Sequence, residues 1–252
     1  MKICVIGGGG VRAPVLLFSF AKRRSLAGTG IEEVSIYDVD AEKSVLMLRV
    51  ASLLLEKEGL SLNFKPYNDV GEALDGADAV IFTIRQGFEK GRAIDERICL
   101  DNGVIGQETT GAAGFAFACR SIPAVLRYAE IAVRLNPRVK IINFTNPSGM
   151  ISQALVEAGF KRSYGICDSA DVIRRHACAY KCFDEDSVGM KVSGLNHLSW
   201  TYSLKHGNEE LIEELSNDDG FLDLAGLYSI KDFVKRRSKP AIPNEYLYYY
   251  YN

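Results

Sequence analysis

The stretch KICVIGGGGVRAPVLLFSFAK, at residues 2–22, and the stretch VSIYD, at residues 34–38, decide the predicted fold. The apolar run Lys2–Ile6 predicts a strand, and four glycines follow it directly. Pro14 begins a segment that predicts a helix, because proline is favoured in the first turn of a helix. The stretch VSIYD then predicts a second strand. This order of strand, helix and strand is typical of a parallel sheet.

The glycines predict a turn that binds a dinucleotide. In such a turn the first glycine allows a tight bend, the second lets the backbone approach a pyrophosphate, and the third lets helix and strand pack closely. Counting from Gly7 puts Arg12 at the third position, and counting from Gly8 puts Ala13 there. Asp38 can accept hydrogen bonds from ribose hydroxyls and would repel a 2′-phosphate, which favours NAD over NADP. The candidate cofactor contacts are Gly7, Gly8, Gly9, Gly10 and Asp38.

The alternation of strands and helices continues along the chain and predicts an α/β protein with a Rossmann-type, doubly wound parallel sheet. A second, α+β substrate domain begins where the sequence changes character, near Lys191. We therefore predict an NAD-binding domain at residues 1–190 and the beginning of a substrate or catalytic domain at residues 191–252. The tyrosine-rich ending predicts a truncated chain. Further strands are predicted near Leu62–Pro66, at Ala79–Thr83, Val139–Phe144 and Leu198–Leu204, and further helices at Ala41–Lys57, Val70–Leu74, Ile122–Leu135 and after Pro147.

The composition excludes several classes of function. The chain has 252 residues, 47% hydrophobic and 25% charged, with a formal net charge of -2, so a nucleic-acid partner is not expected. No run approaches the roughly 18 apolar residues of a membrane span, so a membrane is not expected either. The six cysteines lack the spacing of a disulfide framework, which favours reduced thiols and a cytoplasmic protein. Cys178 and Cys182 lie four residues apart but have no matching second pair, so we interpret them as thiols without a metal.

Three groups of motifs carry a family resemblance. They are GRAIDE at residues 91–96 with GVIGQETTG at 103–111, NFTNP at 143–147, and GICD at 165–168 with GLNH at 194–197. In this order and spacing they resemble glycoside hydrolase family 4, whose members are NAD- and manganese-dependent glycosidases, many acting on 6-phosphoglycosides. The resemblance runs from the first strand to the tyrosine-rich end. It implies that the chain is the N-terminal portion of such an enzyme.

The resemblance implies a reaction that differs from the two-carboxylate mechanism of most glycosidases. Bound NAD oxidises the C3 hydroxyl of the sugar to a ketone, which acidifies the proton at C2. A base removes that proton, the glycosidic oxygen leaves by elimination, water adds, and the hydride returns to C3. The implied activity is hydrolysis of 6-phospho-glucosides, with the β anomer slightly favoured over the α anomer.

The resemblance also implies a metal and a base. Cys167 and His197 match the ligands of a divalent metal, Mn²⁺ or another divalent ion, although this pair of donors alone would suggest zinc. Tyr246, within PNEYL at residues 243–247, matches the base that takes the C2 proton. Because the reference pKa of tyrosine is about 10, a nearby cation has to lower it.

Three further residues match family positions. Asp168 matches the general acid of α-specific members, but Ser169 and Ala170 follow it where common phosphoglucosidases have Met-Pro or Val-Pro, so the anomer preference stays open. Arg92 and Asn146 match substrate contacts, since a guanidinium and an amide suit ligands rich in oxygen. The expected partners are a small, phosphorylated glycoside and further copies of this chain in a homo-oligomer, the latter by family analogy.

Two other interpretations stay open. A 2-hydroxy-acid dehydrogenase shares the Rossmann unit and a downstream histidine, but it needs Asp-x-x-Arg, and the third residue after Asp168 is Asp171. Arg174 and Arg175 lie about one helical turn further on. The second alternative is a non-catalytic NAD-binding remnant that lacks its C-terminal pocket.

Overall fold

Parallel strands form the first sheet of the protein. Within residues 1–27 and 30–251, which the computed structural model describes, six strands make up this sheet: β1 (Lys2–Ile6), β2 (Glu33–Tyr37), β3 (Phe64–Tyr67), β4 (Ala79–Phe82), β5 (Lys140–Asn143) and β6 (Ser163–Gly165). Their order is β3-β2-β1-β4-β5-β6, and every pairing is parallel. This is the strand order of a dinucleotide-binding sheet, so the predicted fold class is confirmed.

Helices cover both faces of this sheet. They are α1 (Ala13–Ala27), α2 (Ala41–Lys57), α3 (Val70–Leu74), α5 (Gly111–Leu135) and α6 (Ser148–Glu157), and a further helix, α4 (Phe88–Asp101), follows β4. Since side chains alternate along a strand, Cys4 and Ile6 of β1 join a core cluster with α3, α5 and α6. Ile3 and Val5 join a second cluster with α1 and α2. Both faces of β1 are therefore buried, which explains its continuous apolar sequence.

Helix α5 is longer than the sequence predicts. It begins at Gly111 rather than near Ile122, and Pro123 lies inside it. The upstream turns bury Ala113 and Phe117, and this packing outweighs the cost of an interior proline. Neither α5 nor any other helix in the described ranges is both long and apolar enough to cross a bilayer.

An antiparallel sheet with short helices follows. Its elements are α7 (Ser169–Lys181), β7 (Val188–Leu195), β8 (Leu198–His206), β9 (Glu209–Glu210), α8 (Ile212–Asn217), α9 (Asp219–Leu224), α10 (Lys231–Lys235), β10 (Ile242–Pro243) and α11 (Tyr248–Tyr251). Strand β8 pairs with β7, β9 and β10. The predicted α+β character of this region is confirmed.

The chain divides into two compact units at a different place from the predicted boundary. The first unit consists of residues 1–93 and 116–166, and the second of residues 94–115 and the chain from Cys167 onward. A boundary between residues 190 and 191 would assign α7 to the first domain. However, Ile173, Ala177 and Cys178 of α7 pack in the core that contains Leu204 of β8. We therefore place the boundary before α7, and the functional assignment of the domains stays a prediction.

Candidate functional site

The glycine turn after β1 is held against the neighbouring strands. Gly7 has φ +109°, and its N–H donates to the carbonyl oxygen of Tyr37 over 2.9 Å. A Cβ atom on Gly7 would lie 2.6 Å from the backbone carbonyl of Thr83, and one on Gly8 would lie 2.1 Å from Cγ2 of Ile36. L side chains rarely adopt the φ of Gly7, and no space exists for a Cβ at either position. The fold itself therefore requires both glycines.

Asp38 faces the same turn from the end of β2. Its Oδ2 accepts the N–H of Gly9 over 2.7 Å, and its Oδ1 accepts the N–H of Asp40 over 2.9 Å. The third glycine position, held by Arg12, is exposed, and the guanidinium lies 4.8 Å from the ring centroid of Phe144. In the alternative register, which counts from Gly8, the third position is Ala13, and this residue is buried, with 4% of its surface exposed.

A cleft opens beside this turn at the carboxyl ends of β1, β2 and β4, where open α/β sheets bind ligands. Three of the predicted glycines and Asp38 line it, whereas Gly8 does not. The segment after β4 was not predicted to contribute. The lining includes Gly7, Gly9, Gly10, Asp38, Lys43, Thr83, Ile84, Arg85, Gln86, Phe88 and Tyr128. A backbone turn without side chains beside a carboxylate fits the pyrophosphate and ribose of a dinucleotide.

Replacing Gly7 with alanine is expected to lower the free energy of unfolding by about 3 kcal/mol, because the new Cβ meets the Thr83 carbonyl at a strained φ. Urea unfolding followed by circular dichroism measures this. The matched control is Gly10→Ala, whose Cβ would approach no atom closer than 3.4 Å, so a change within about 0.5 kcal/mol is expected. Equal destabilisation by the two variants would contradict this account.

The two predicted substrate contacts lie in the first unit. Arg92 is part of α4, where its Nη1 is 4.0 Å from a carboxylate oxygen of Glu89. Asn146 follows β5 and precedes a cis peptide bond to Pro147. Thr145 beside it accepts the N–H of Ile84 over 3.0 Å, which ties the loop after β5 to the loop after β4.

Cys167 and His197 come together in the second unit. The Sγ atom of Cys167 lies 3.5 Å from Nε2 of His197, and His197 is only 2% exposed. His197 is the second residue of a two-residue hairpin turn between β7 and β8, since Leu195 pairs with Leu198. Its φ is +58°, a conformation that costs about 1–3 kcal/mol for a residue other than glycine. Such strain at a buried, polar side chain points to a functional position.

The geometry of this pair fits one shared metal ion. For a tetrahedral zinc ion, bonds of about 2.3 Å to sulfur and 2.1 Å to nitrogen place the two donor atoms about 3.6 Å apart. The observed distance from Sγ to Nε2 is 3.5 Å. Thiolate and imidazole suit a first-row transition metal. Within the described residues, no three His, Cys, Asp or Glu side chains are grouped to hold an ion. Further ligands would therefore have to be oxygen atoms of other residue types, of a substrate or of water.

The ring of Tyr246 packs on this pair. It stacks on the His197 ring with 3.8 Å between centroids and 6° between planes. Burial raises the pKa of Tyr246 to about 12, and the negative charges of Glu108 and Glu245 act in the same direction. The phenol is therefore protonated at neutral pH, so a base at this position requires a positive charge nearby. The structure thus brings together Cys167, His197 and Tyr246.

Asp168 lies beside the pair, at the start of α7. It is the N-cap residue but makes no capping hydrogen bond with its side chain, and Sγ of Cys167 lies 3.8 Å from its Oδ1. Ser169 and Asn244 were not predicted. The Ser169 hydroxyl lies 3.2 Å from Sγ of Cys167, and the Asn244 side chain donates to the Ser169 carbonyl. The PNEYL motif contained Asn244, but its bond to Ser169 depends on folding.

The fold is thus of the α/β class, with the strand order of dinucleotide-binding proteins, and a second unit brings together a thiol, an imidazole and a phenol. The sequence model of family 4 glycosyl hydrolases matches residues 2–179. The chain therefore belongs to glycosyl hydrolase family 4, as the motifs predicted.

Relatives found by sequence and by structure agree with this membership. The chain is 31% identical over its whole length to a probable 6-phospho-beta-glucosidase of Bacillus subtilis. It matches the structure of the Thermotoga maritima 6-phospho-beta glucosidase with manganese, NAD+ and glucose-6-phosphate at a TM-score of 0.83 and 32% identity, covering 99% of this chain and 60% of that one. A 6-phospho-alpha-glucosidase from gut microorganisms, solved with NAD and Mn2+, matches at a TM-score of 0.83 and 26% identity, covering 100% and 61%. The chain spans 58% of the length of the Bacillus relative.

Proposed function

We propose that the protein hydrolyses 6-phospho-glucosides and uses NAD and a divalent cation, with Mn²⁺ the first candidate. The observation that carries this proposal is the grouping of Cys167, His197 and Tyr246, with 3.5 Å between the thiol and the imidazole and 3.8 Å between the two rings. Family membership supports it, and so do the relatives, whose solved structures contain NAD and manganese.

In this proposal some residues of the chain bind the cofactor and the substrate, and others transfer protons. When bound, NAD supplies reversible removal of a hydride from the sugar, and the cation supplies positive charge next to the reacting hydroxyls. Asp38 would hold the ribose hydroxyls beside the glycine turn. Tyr246 would take the C2 proton, and Asp168 would donate a proton to the leaving oxygen. In the proposal, Arg92 and Asn146 contact the substrate.

The β anomer is the proposed substrate, because the two 6-phospho-beta-glucosidases reported above, at 31% and 32% identity, are more similar in sequence to the chain than the 6-phospho-alpha-glucosidase is at 26%. Asp168, which matches α-specific members, makes the α anomer the alternative. A dehydrogenase is disfavoured because both nearby arginines already pair with Asp171: Nε of Arg174 lies 2.6 Å and Nε of Arg175 lies 3.6 Å from its carboxylate. A homo-oligomeric state and a cytoplasmic location remain predictions from the sequence.

The test is an assay with p-nitrophenyl β- and α-glucoside 6-phosphates in the presence of Mn²⁺ and a reductant. We expect nitrophenol release that requires NAD, is not supported by NADP, and is faster with the β anomer. The matched control substrates are the same glucosides without phosphate. Binding of NAD without release from either anomer would contradict the catalytic proposal and favour a non-catalytic NAD-binding protein. Oxidation of NADH by pyruvate would instead indicate the dehydrogenase.

A further inference from the structure

Asn244 connects separate segments of the second unit. Its backbone N–H donates to the carbonyl oxygen of Ser199 over 2.8 Å. Its side-chain Nδ2 donates to the carbonyl oxygen of Ser169 over 3.1 Å. Its Oδ1 accepts the N–H of Tyr246 over 3.0 Å. The backbone and the side chain of Asn244 thus connect its own segment, which includes Tyr246, to the segments that contain Ser169 and Ser199.

Each of these segments carries a residue of the candidate site. Ser169 follows Cys167 by two positions, and Ser199 follows His197 by two positions. Asn244 is 3% exposed and Ser169 is also 3% exposed, so water does not compete for the bond between them. Removing one partner of such a buried bond leaves the other unsatisfied. The Asn244 amide therefore links the segment of Cys167 to that of Tyr246, while the Asn244 backbone bonds to the segment of His197.

We propose that Asn244 is a positioning residue, which sets the ring of Tyr246 against that of His197, the partner of Cys167. The amide supplies a donor for the Ser169 carbonyl and an acceptor for the Tyr246 N–H at the same time, whereas a carboxylate in its place would have acceptors alone. The kinetic consequence of this inference rests on the proposed function. The structural consequence, coupling of the three segments, does not.

The kinetic test is Asn244→Asp, which keeps the acceptor for Tyr246 but places an oxygen against the Ser169 carbonyl. We expect kcat to fall about 100-fold, because a displaced base costs rate rather than binding, while KM changes less than about 3-fold. Asn136→Asp is the matched control. Asn136 makes the same pattern of bonds in the first unit, from Nδ2 to the Ala77 carbonyl over 2.9 Å and from the Arg138 N–H to Oδ1 over 2.9 Å. A merely structural role predicts equal kcat for the two variants and would overturn the proposal.

The structural test is amide hydrogen exchange of the ligand-free protein, read by mass spectrometry. Asn244→Asp should speed exchange in peptides covering residues 167–172 as well as 245–248, whereas Asn136→Asp should leave these peptides unchanged. Acceleration confined to residues 245–248 would overturn the coupling. If Asn244→Asp does not fold, Asn244→Ser applies the same test, because serine can still cap Tyr246 but is too short to reach Ser169. If the wild-type chain is inactive, the proposed function fails, and the exchange result still decides the role of Asn244.

Discussion

Replacing Tyr246 with phenylalanine is expected to lower kcat for 6-phospho-glucoside hydrolysis by about 1000-fold, the usual range for a lost general base. The variant removes the hydroxyl that would accept the C2 proton. It keeps the aromatic ring that stacks on His197 and the backbone N–H that donates to Asn244. The fold and the affinity for NAD should therefore stay the same. Exchange of the substrate C2 proton with deuterium from the solvent, followed by NMR, measures the affected step directly.

A second tyrosine of the same run provides the control. Tyr248 is 37% exposed, and its ring centroid lies 4.2 Å from that of Tyr249 with the planes tilted by 32°, so Tyr248→Phe should keep kcat within about 2-fold of the wild type. If Tyr246→Phe retains more than about a tenth of the wild-type kcat, Tyr246 is not the base. Loss of activity together with a lower melting temperature would instead indicate that the phenol supports the fold.

Replacing Cys167 with serine is expected to weaken Mn²⁺ binding at least about 100-fold and to abolish hydrolysis. The thiolate is the anionic donor of the pair, and a serine hydroxyl does not ionise to replace it. His197 alone would then hold the cation. Equilibrium dialysis with Mn²⁺ measures the affinity. In the Co²⁺-substituted protein, the thiolate-to-Co²⁺ charge-transfer absorption band reports directly on ligation by sulfur.

The matched control for this thiol is Cys182→Ser. Cys182 is an exposed, free cysteine at the end of α7, so its replacement should leave metal affinity within about 2-fold. The same affinity in Cys167→Ser as in the wild type would show that the ion binds elsewhere. A wild-type chain that binds neither Mn²⁺ nor Co²⁺ would remove the cation from the proposed function.

Local patterns predicted much of the first unit. The apolar run of β1, the glycines after it and the Asp38 carboxylate are adjacent or nearly adjacent features, and the parallel sheet follows from the alternation of elements. The boundary before α7 could not be predicted in this way. The change of composition near Lys191 reflects the two long strands of a hairpin, whereas the division of the chain depends on where Ile173 and Ala177 are buried.

The hairpin turn at His197 shows a further limit of local patterns. Asn-His lacks the glycine that usually identifies a two-residue turn, and therefore only β8 was predicted. The φ of +58° at His197 is maintained because β7 and β8 pair on both sides of the turn. A histidine proposed to bind a metal thus occupies a position where sequence rules favour glycine.

The sequence by itself determined the sheet type, the glycine turn and, through the motif resemblance, the family; it also supplied the candidate site residues, which stay predictions. Only the tertiary structure decided that Cys167, His197 and Tyr246 lie together and that Asn244 joins their segments. The physical reason is distance along the chain. The bond from Asn244 to Ser169 spans 75 positions, and no local propensity encodes a contact that exists only after the second core has packed.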